Sequence, residues 1–327
     1  MTPTTAAAKR RATAAGFDRP LLLSARQDLG GWVLRGVGRS LLLGIALTSV
    51  LAVAMIFVFI VKEALPFFTG ERTGELLTST SWYPKAEPPV FGALAMVLGS
   101  VYVTAGALVL AVPVGLLAAV FLSDIVPFRL RQMIKPAIEL LAAIPSVAYG
   151  FFAVLVLAPW MQEHLSLPTG TNALNASVIL AVMAVPTIVS IAEDALTAVG
   201  REVREGAYAL GATRAEAIVT VVVPAARNGI FAAVVLGMMR AVGETMVVWM
   251  ASGNASQVPS PWWDLSQSVR TMTATIAGEM GETVKGSVHY HGLFAIGLLL
   301  LAITFGLNIV SELLLVRGRR AAKGGAK

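Results

Sequence analysis

The sequence predicts an all-α, polytopic membrane protein, and three observations support this prediction. Of the 327 residues, 56% are hydrophobic and 13% are charged, whereas a soluble domain carries about a quarter charged residues. The apolar residues fall into several uninterrupted runs of about twenty or more. These runs lack the alternation of apolar and polar residues that is typical of an outer-membrane barrel. The basic residues are concentrated in alternate connecting segments.

The amino-acid composition also excludes several kinds of function. The chain has no cysteine, which excludes disulfides, thiol nucleophiles and thiolate metal sites. Its three histidines, His164, His289 and His291, argue against a buried metal or haem centre. Lys and Arg outnumber Asp and Glu by 25 to 19. In a soluble protein this excess would suggest nucleic acid, but in a membrane protein it indicates topology first. We therefore expect no metal site and no nucleic-acid partner.

Six segments are long and apolar enough to cross the hydrocarbon core, which takes about 20 residues of helix. Pro113 predicts a kink in the second segment, and Pro145 and Pro186 predict kinks or ends in the third and fourth. The predicted spans are residues 41–61, 93–122, 137–158, 173–192, 229–251 and 293–316.

The positive-inside rule orients these spans. Nineteen Lys and Arg residues lie in the first 40 residues, in loops 123–136 and 193–228, and after residue 316, against five in the opposite loops. We therefore expect a multi-pass protein of the plasma (inner) membrane with both termini in the cytoplasm. The predicted organisation is a basic tail (1–40), an N-terminal transmembrane helix (41–62), an extracytoplasmic loop (63–92), a five-helix core (93–316) and a second basic tail (317–327).

The cytoplasmic loop 193–228 is unusually long and rich in charges of both signs. It reads Glu205-Gly206-Ala207, three residues, Gly211, nine residues, then Val221-Val222-Val223-Pro224. This pattern predicts a short helix, a tight turn at Gly211 and a second helix. Val203, Ala207 and Leu210 fall on one face of the first helix, which could enter a partner's groove. The alternative is an ordinary charged interhelical loop.

The spacing in this loop resembles the EAA loop of ATP-binding-cassette (ABC) importer permeases. That motif reads Glu-Ala-Ala, three residues, Gly, nine residues, Ile-x-Leu-Pro, and here Gly206, Val221 and Val223 replace Ala, Ile and Leu. The resemblance implies a type I ABC importer permease fold whose coupling helix docks into a separate ATPase. The chain contains no G-x-x-x-x-G-K-[ST] phosphate loop. We therefore expect no enzymatic activity and no cofactor in this chain, with ATP and Mg bound by the partner ATPase.

The fifth predicted span carries two charges, Arg240 and Glu244. A charge at the bilayer centre costs roughly 2.5–3.5 kcal/mol and requires a partner or a watery cavity. Four residues apart in one helix, the two side chains would share a face with Gly237. Arg240 could bind a tetrahedral oxyanion, with Glu244 holding the guanidinium when the site is empty. The alternative is a structural ion pair beside a packing face of small residues, Ala233, Gly237 and Ala241.

Three further stretches, 139–150, 240–246 and 273–290, are similar to PstC-type permease subunits of phosphate importers. This resemblance implies phosphate as substrate and a path past Arg240, Glu244 and Gly237. It also implies four partners: a homologous PstA-type permease as heterodimer, an ABC ATPase dimer, an extracytoplasmic phosphate-binding protein and membrane lipid. The alternatives are an ABC permease for another oxyanion such as sulfate or molybdate, or an ion-coupled secondary transporter with Glu244 as proton carrier.

The outer loop 252–290 shows a helical apolar spacing after Trp262 and Trp263. It predicts an amphipathic helix at the membrane interface, with the tryptophans in the aromatic belt. The family resemblance implies that this segment also helps to receive a binding protein. His289 and His291 are interpreted as interfacial polar residues rather than metal ligands. The apolar positions are Leu265, Val269, Met272, Ile276 and Met280.

Overall fold

The computed structural model describes residues 25–70 and 73–324, which are mostly helical. The chain divides into two compact units, one ending at Phe59 and one beginning at Ile60. Helix α1, Ala25–Phe68, is continuous through this boundary. Of the predicted basic tail 1–40, residues 1–24 lie outside the described residues. Residues 25–40 of that segment are helical in backbone.

In the first unit, the described side chains from position 36 to 59 are almost all exposed. Most of them are apolar, and between positions 41 and 59 the apolar residues lie on all sides of the helix, as expected of a helix surrounded by lipid. Residues 36–68 form a candidate membrane span with a mean hydropathy of 2.7 in its most apolar stretch. The first predicted span is therefore a helix of sufficient length to cross a bilayer.

The second unit contains twelve further helices and one two-stranded antiparallel sheet among its described residues. π-Helical turns at Phe121–Ile125, Ala153–Leu157 and Ile218–Val222 join successive helices, and a 3₁₀ turn spans Met280–Glu282. The elements are α2 Thr73–Thr78, β1 Trp82–Tyr83, β2 Val90–Phe91, α3 Leu94–Val120, α4 Phe128–Ala143, α5 Ser146–Phe152, α6 Ala158–Leu165, α7 Ala173–Thr197, α8 Arg201–Ala209, α9 Arg214–Ala217, α10 Val223–Val242, α11 Met246–Ala251, α12 Met272–Glu279 and α13 Val288–Gly324.

Two predicted spans are broken in the structure. The span predicted at 137–158 is a pair of helical segments, Phe128–Ala143 and Ser146–Leu165, that meet at 86°. Pro145 causes this break, since proline supplies no N–H and disfavours helical geometry at Ile144. The span predicted at 229–251 ends at Val242 and resumes in α11. Pro186, by contrast, lies inside α7, which continues to Thr197.

Helix α13 is longer than the last predicted span, 293–316. It continues through Gly324, so that residues 317–324 of the predicted basic tail are helical in backbone. Residues 325–327 lie outside the described residues. Within residues 25–70 and 73–324, five helices are long and apolar enough to cross a membrane, or six if the bent pair counts as one span.

Helix α7 is the centre of the second unit, packed between α3 and α10. Ile188 of α7 is fully buried between two glycines. A Cβ atom on Gly115 of α3 would lie 2.8 Å from the Ile188 side chain, and one on Gly237 of α10 would lie 2.5 Å from it. Small residues at these positions therefore allow three helix backbones to approach closely, as is common in membrane bundles.

The outer loop differs from the predicted interfacial helix. Residues 252–271 form no helix, and α12 covers only Met272–Glu279. Val269 and Met272 are buried in the protein core rather than arranged along a membrane surface. Trp262 and Trp263 are exposed and form an edge-to-face pair. The loop folds inward because its apolar residues pack against the helices of the core, which the local spacing did not reveal.

We predict that Gly237→Val lowers the thermal stability of the detergent-purified protein, because the added methyl groups overlap Ile188. Overpacking of this kind costs about 1–3 kcal/mol. Adding Ile188→Ala should recover part of the loss, although that substitution alone leaves a cavity. Gly306→Val in α13, where a Cβ meets no atom within 4 Å, is the matched control and should have little effect. Equal destabilisation by the two valines would contradict this packing assignment.

Candidate functional site

Arg240 lies in the last turn of α10, beside the middle of α7. Its Nη1 donates to Thr187 Oγ1 at 3.1 Å, and its Nη2 donates to the carbonyl oxygen of Ala142 at 3.1 Å. Ala142 belongs to the last turn of α4, where carbonyl groups lack helical partners and the helix dipole is negative. The guanidinium is thus held by two neutral acceptors, and no carboxylate lies within 4 Å of it in the described part of the chain.

The break after α4 supplies these acceptors. Ile144 and Pro145 are both extended, so the chain turns away and leaves the end of α4 open. The Tyr149 hydroxyl donates to the Leu141 carbonyl at 2.9 Å. Arg240 and Tyr149 together therefore bind two of the carbonyl groups that the proline break exposes.

The predicted pairing of Arg240 with Glu244 is wrong. Helix α10 ends at Val242, so Glu244 lies in the break before α11 instead of one turn above Arg240 on a helix face. The Glu244 carboxylate accepts from the Thr245 backbone N–H at 3.3 Å, and the Glu244 carbonyl accepts from Thr273 Oγ1 at 2.9 Å. Glu244 forms no ion pair with any residue in 25–70 or 73–324.

Gly237 of α10 has a packing role. It is buried against Ile188, together with Ala233 and Ala241 on the same face of α10. One alternative from the sequence combined a packing face of small residues with an Arg240–Glu244 ion pair. The structure contains the packing face but not that ion pair. Gly237 contributes by setting the distance between α10 and α7.

The loop with the EAA-like spacing forms the predicted helix–turn–helix. Helix α8 ends in a Schellman motif, in which the Gly211 N–H donates to Tyr208 O at 2.9 Å and the Ala212 N–H donates to Ala207 O at 3.1 Å. Gly211 has a φ of +87°, a conformation that favours glycine. The glycine at this position is thus required by the backbone of the turn.

The following segment is also defined by its own residues. Thr213 and Glu216 form a capping box that begins α9, and Pro224 occupies the first turn of α10. Glu205 and Gly206 are exposed on α8. We call residues 201–224 the coupling segment.

One detail of the predicted docking face is wrong. Ala207 is buried, whereas Val203 and Leu210 are exposed, Leu210 to 91%. The three residues therefore do not form one free apolar face. Tyr208 is also exposed, so the uncovered apolar surface of α8 consists of Val203, Tyr208 and Leu210, with Ala207 directed into the protein.

A cluster of charges joins α4 to the end of α7. Glu193 is 1% exposed and forms ion pairs with Arg131 and with Lys135, the latter at 2.7 Å. Lys135 also pairs with Asp194 at 2.7 Å, and Arg131 donates to Thr197 Oγ1 at 2.8 Å. The sequence indicated Arg131 and Lys135 only as topology signals. Their carboxylate partners are about 60 positions away, so no local pattern could have revealed the cluster.

A second ion pair attaches the coupling segment to the end of α3. Arg204 of α8 donates to Asp124 Oδ1 at 2.8 Å, and Arg214 of α9 donates to the Asp124 carbonyl. Arg204 also donates to the Leu196 carbonyl at 2.8 Å. The coupling segment is therefore bound to the ends of both α3 and α7.

Near the start of α13, Glu279 is a junction of three elements. Its carboxylate accepts from Arg270 Nη1 at 2.7 Å and from Trp82 Nε1 at 2.9 Å, and it lies 2.8 Å from His289 Nε2. These residues line an open cavity of about 520 Å³. In the loop that contains Arg270, hydrogen bonds lower the pKa of Asp264 below its usual value. The side-chain hydroxyl of Ser266 makes the largest contribution.

The two outer histidines have separate protein partners. His291 Nδ1 lies 2.7 Å from the Glu63 carbonyl, whereas His289 contacts Glu279. Among the described residues, no group of three or more His, Asp or Glu side chains could hold a metal ion.

A known protein family matches more than half of the chain. Residues 111–319 match the model of the family described as "Binding-protein-dependent transport system inner membrane component". The chain belongs to this family. It is accordingly a membrane protein, and its breaks at Pro145 and after Val242 both lie within the matched region.

Curated relatives of this family member cover most of its length. A probable ABC transporter permease, YqgH of Bacillus subtilis, is 39% identical over 87% of this chain and 91% of its own. The phosphate transport system permease PstC of Mesorhizobium japonicum is 36% identical over 83% of this chain and 88% of its own. PstC of Haemophilus influenzae is 35% identical over 75% and 81%.

A solved structure of an inward-facing MetNI methionine ABC transporter has the same permease fold. Its matching chain superposes with a TM-score of 0.51 at 16% identity, covering 69% of this chain and 94% of that one. The type I importer permease fold expected from the EAA-like spacing is therefore confirmed.

We predict that Gly211→Ala loosens the turn after α8, because a side chain at φ +87° costs about 1–2 kcal/mol. Amide hydrogen exchange within 201–217 should accelerate. Gly206→Ala is the matched control, since that helical, exposed position has room for a methyl group and alanine favours a helix by about 1 kcal/mol. Slower or unchanged exchange in Gly211→Ala would contradict the strained-turn assignment.

We predict that Glu193→Ala destabilises the protein by about 3 kcal/mol, because it removes the buried partner of two cations. Asp194→Ala should cost less than about 1 kcal/mol, since the Asp194 side chain is 66% exposed. Thermal unfolding of the two purified variants tests this difference. Similar losses for both would show that burial of Glu193 is not the deciding factor.

Proposed function

We propose that this chain is the permease subunit of an ATP-driven importer of inorganic phosphate, in which it forms half of the translocation path. The assignment of phosphate is supported by identities of 35–36% to phosphate permeases over most of the chain. The observation that carries it is the placement of Arg240, a cation bound only by neutral acceptors beside the middle of α7.

A partly buried cation without a counter-charge favours an anion as its missing partner. The Arg240 guanidinium donates one hydrogen bond to the Thr187 hydroxyl and one to the Ala142 carbonyl. A phosphate that reaches the site offers charged acceptors, and hydrogen bonds to charged groups are roughly twice as strong as those between neutral groups. The anion can therefore displace these two contacts, and they re-form when it leaves.

The complete importer, in this proposal, contains a homologous PstA-type permease, an ABC ATPase dimer and an extracytoplasmic phosphate-binding protein. Both termini and the coupling segment lie on the cytoplasmic side, as the distribution of Lys and Arg predicts. The exposed Val203, Tyr208 and Leu210 provide an apolar contact for the ATPase.

This chain has no catalytic role of its own in the proposal, and it requires no cofactor. ATP and Mg bind to the ATPase chains. Movement of the coupling segment reaches the membrane helices through the Arg204–Asp124 ion pair and the contact of Arg204 with Leu196. Glu244 remains a candidate path residue at the α10–α11 break, without the role of holding Arg240.

We predict that Arg240→Ala abolishes most phosphate uptake, lowering the rate by about 10–100-fold, the value of a hydrogen bond to a charged group. Uptake of radiolabelled phosphate is measured in cells that lack their own high-affinity system and carry the complete complex. Arg227→Ala, an exposed position on the same helix, is the matched control and should transport normally. Both variants are checked for equal membrane abundance and for co-purification with the ATPase.

The same assay separates the other candidate functions. If an assembled Arg240→Ala complex transports normally, Arg240 is structural and the site assignment is wrong. If the wild-type complex imports sulfate or molybdate but not phosphate, the chain serves another oxyanion. Uptake that persists without the ATPase and stops on adding an uncoupler would indicate an ion-coupled secondary transporter.

A further inference from the structure

The facing sides of α4 and α7 form a polar seam between Arg240 and the charged cluster at Glu193. At one end, Arg240 bridges Ala142 of α4 and Thr187 of α7. At the other end, Lys135 and Arg131 of α4 pair with carboxylates of α7. No described residue of α4 is buried, so these polar contacts hold α4 against α7 without an apolar core between them.

Two hydroxyl groups between these ends have no hydrogen-bond acceptor. Helix α7 has four hydroxyl side chains, and two of them donate within the helix, Ser177 to Ala173 O at 2.7 Å and Thr197 to Glu193 Oε1 at 3.1 Å. Thr187 accepts from Arg240, but neither it nor Ser190 donates to any group in the described parts of the chain. Both side chains are partly exposed. Serine and threonine inside helices commonly donate to a preceding carbonyl, so these two donors are unusual.

The spacing places the free donors on the seam. Thr187, Ser190, Asp194 and Thr197 follow at intervals of three, four and three residues, which puts them on one face of α7. The last two contact Lys135 and Arg131. Thr187 contacts Arg240. Ser190 therefore lies on this face between the two cationic centres.

We propose that Thr187 and Ser190 form a second binding subsite for the transported oxyanion, between Arg240 and the Lys135–Arg131 pair. This proposal rests on the proposed function. Asp194 lies seven positions after Thr187, about 10 Å along the helix, too far for one phosphate ion to contact both cationic centres at once. Hydroxyl donors between them can bind phosphate oxygens as the ion leaves Arg240.

The charged cluster at the end of the seam favours release rather than retention. Lys135 and Arg131 are already paired with Glu193 and Asp194. An anion arriving there competes with carboxylates that are held in place, so its binding is weaker than at Arg240, which has no carboxylate partner among the described residues. Along the seam, the anion first meets Arg240, which has no carboxylate partner among the described residues. It then meets the hydroxyls of Thr187 and Ser190, and finally cations that are already paired with carboxylates, at the end of α7 that joins the coupling segment.

Cysteine labelling tests whether the seam is a water-filled path. The sequence contains no cysteine, so Ser190→Cys introduces the only thiol of this subunit. The complete complex in membrane vesicles is treated with the anionic reagent sulfonatoethyl methanethiosulfonate, with the wild-type chain as background. We expect Ser190→Cys to be modified, and millimolar inorganic phosphate to slow modification several-fold relative to the same concentration of chloride.

Two control positions on α7 make the result specific. Val189→Cys replaces a buried side chain, and Val182→Cys replaces one that is 47% exposed. Position 182 lies about 100° around the helix from the centre of the seam. Neither control should react with the charged reagent. The proposal is overturned if Ser190→Cys is not modified, or if phosphate does not slow its modification.

Transport measurements give an independent test. We expect Thr187→Val and Ser190→Ala each to lower the maximal rate of phosphate uptake about 10-fold without changing the affinity for the delivered substrate, and Thr187→Ser to keep the wild-type rate, since it retains the hydroxyl. Ser177→Ala, which removes a hydroxyl bonded to its own helix, should transport normally. If the wild-type complex imports phosphate but Thr187→Val and Ser190→Ala keep the wild-type rate, the subsite is wrong and the proposed function stands. If the wild-type complex imports no phosphate, the proposed function itself is wrong.

Discussion

The single contact on which the site depends is the binding of the Arg240 guanidinium by neutral acceptors. A charge in the membrane interior is costly, and this chain stabilises it with the carbonyl of Ala142 and the hydroxyl of Thr187. The carbonyl is available only because Pro145 ends α4 in mid-span. The position of α10 beside α7, in turn, depends on the glycine at 237 that accommodates Ile188. A broken helix and a close helix contact thus produce one uncompensated positive charge.

The helices of the core are held by two different kinds of contact. Helices α3, α7 and α10 interlock through small residues and buried aliphatic side chains, which gives a rigid frame. Helix α4 has no buried residue among those described and is attached to α7 through hydrogen bonds and ion pairs. Helix α4 is therefore attached to α7 by polar contacts, whereas α3 and α10 pack against α7 through apolar ones.

Buried or partly buried carboxylates serve as junctions at both ends of the bundle. Glu193 joins α4 to α7, and Glu279 joins the β1–β2 hairpin, the outer loop and α13. Asp124 has the corresponding role between α3 and the coupling segment. Each is bound by at least one donor that lies more than 50 positions away in the sequence. These junctions connect the segments outside the membrane to the helices that surround Arg240.

The membrane class could be predicted from the sequence alone, together with the approximate positions of the spans and the turn at Gly211, because apolar length, charge distribution and glycine geometry are local properties. The sequence also identified Arg240, since an arginine in an apolar run is visible without a structure. Three features could not be predicted in this way: the partners of Arg240, the end of α10 before Glu244 and the inward fold of the loop around Val269. Those features depend on contacts between residues that are far apart in the chain, 98 positions in the case of Arg240 and Ala142, which no periodicity or spacing encodes.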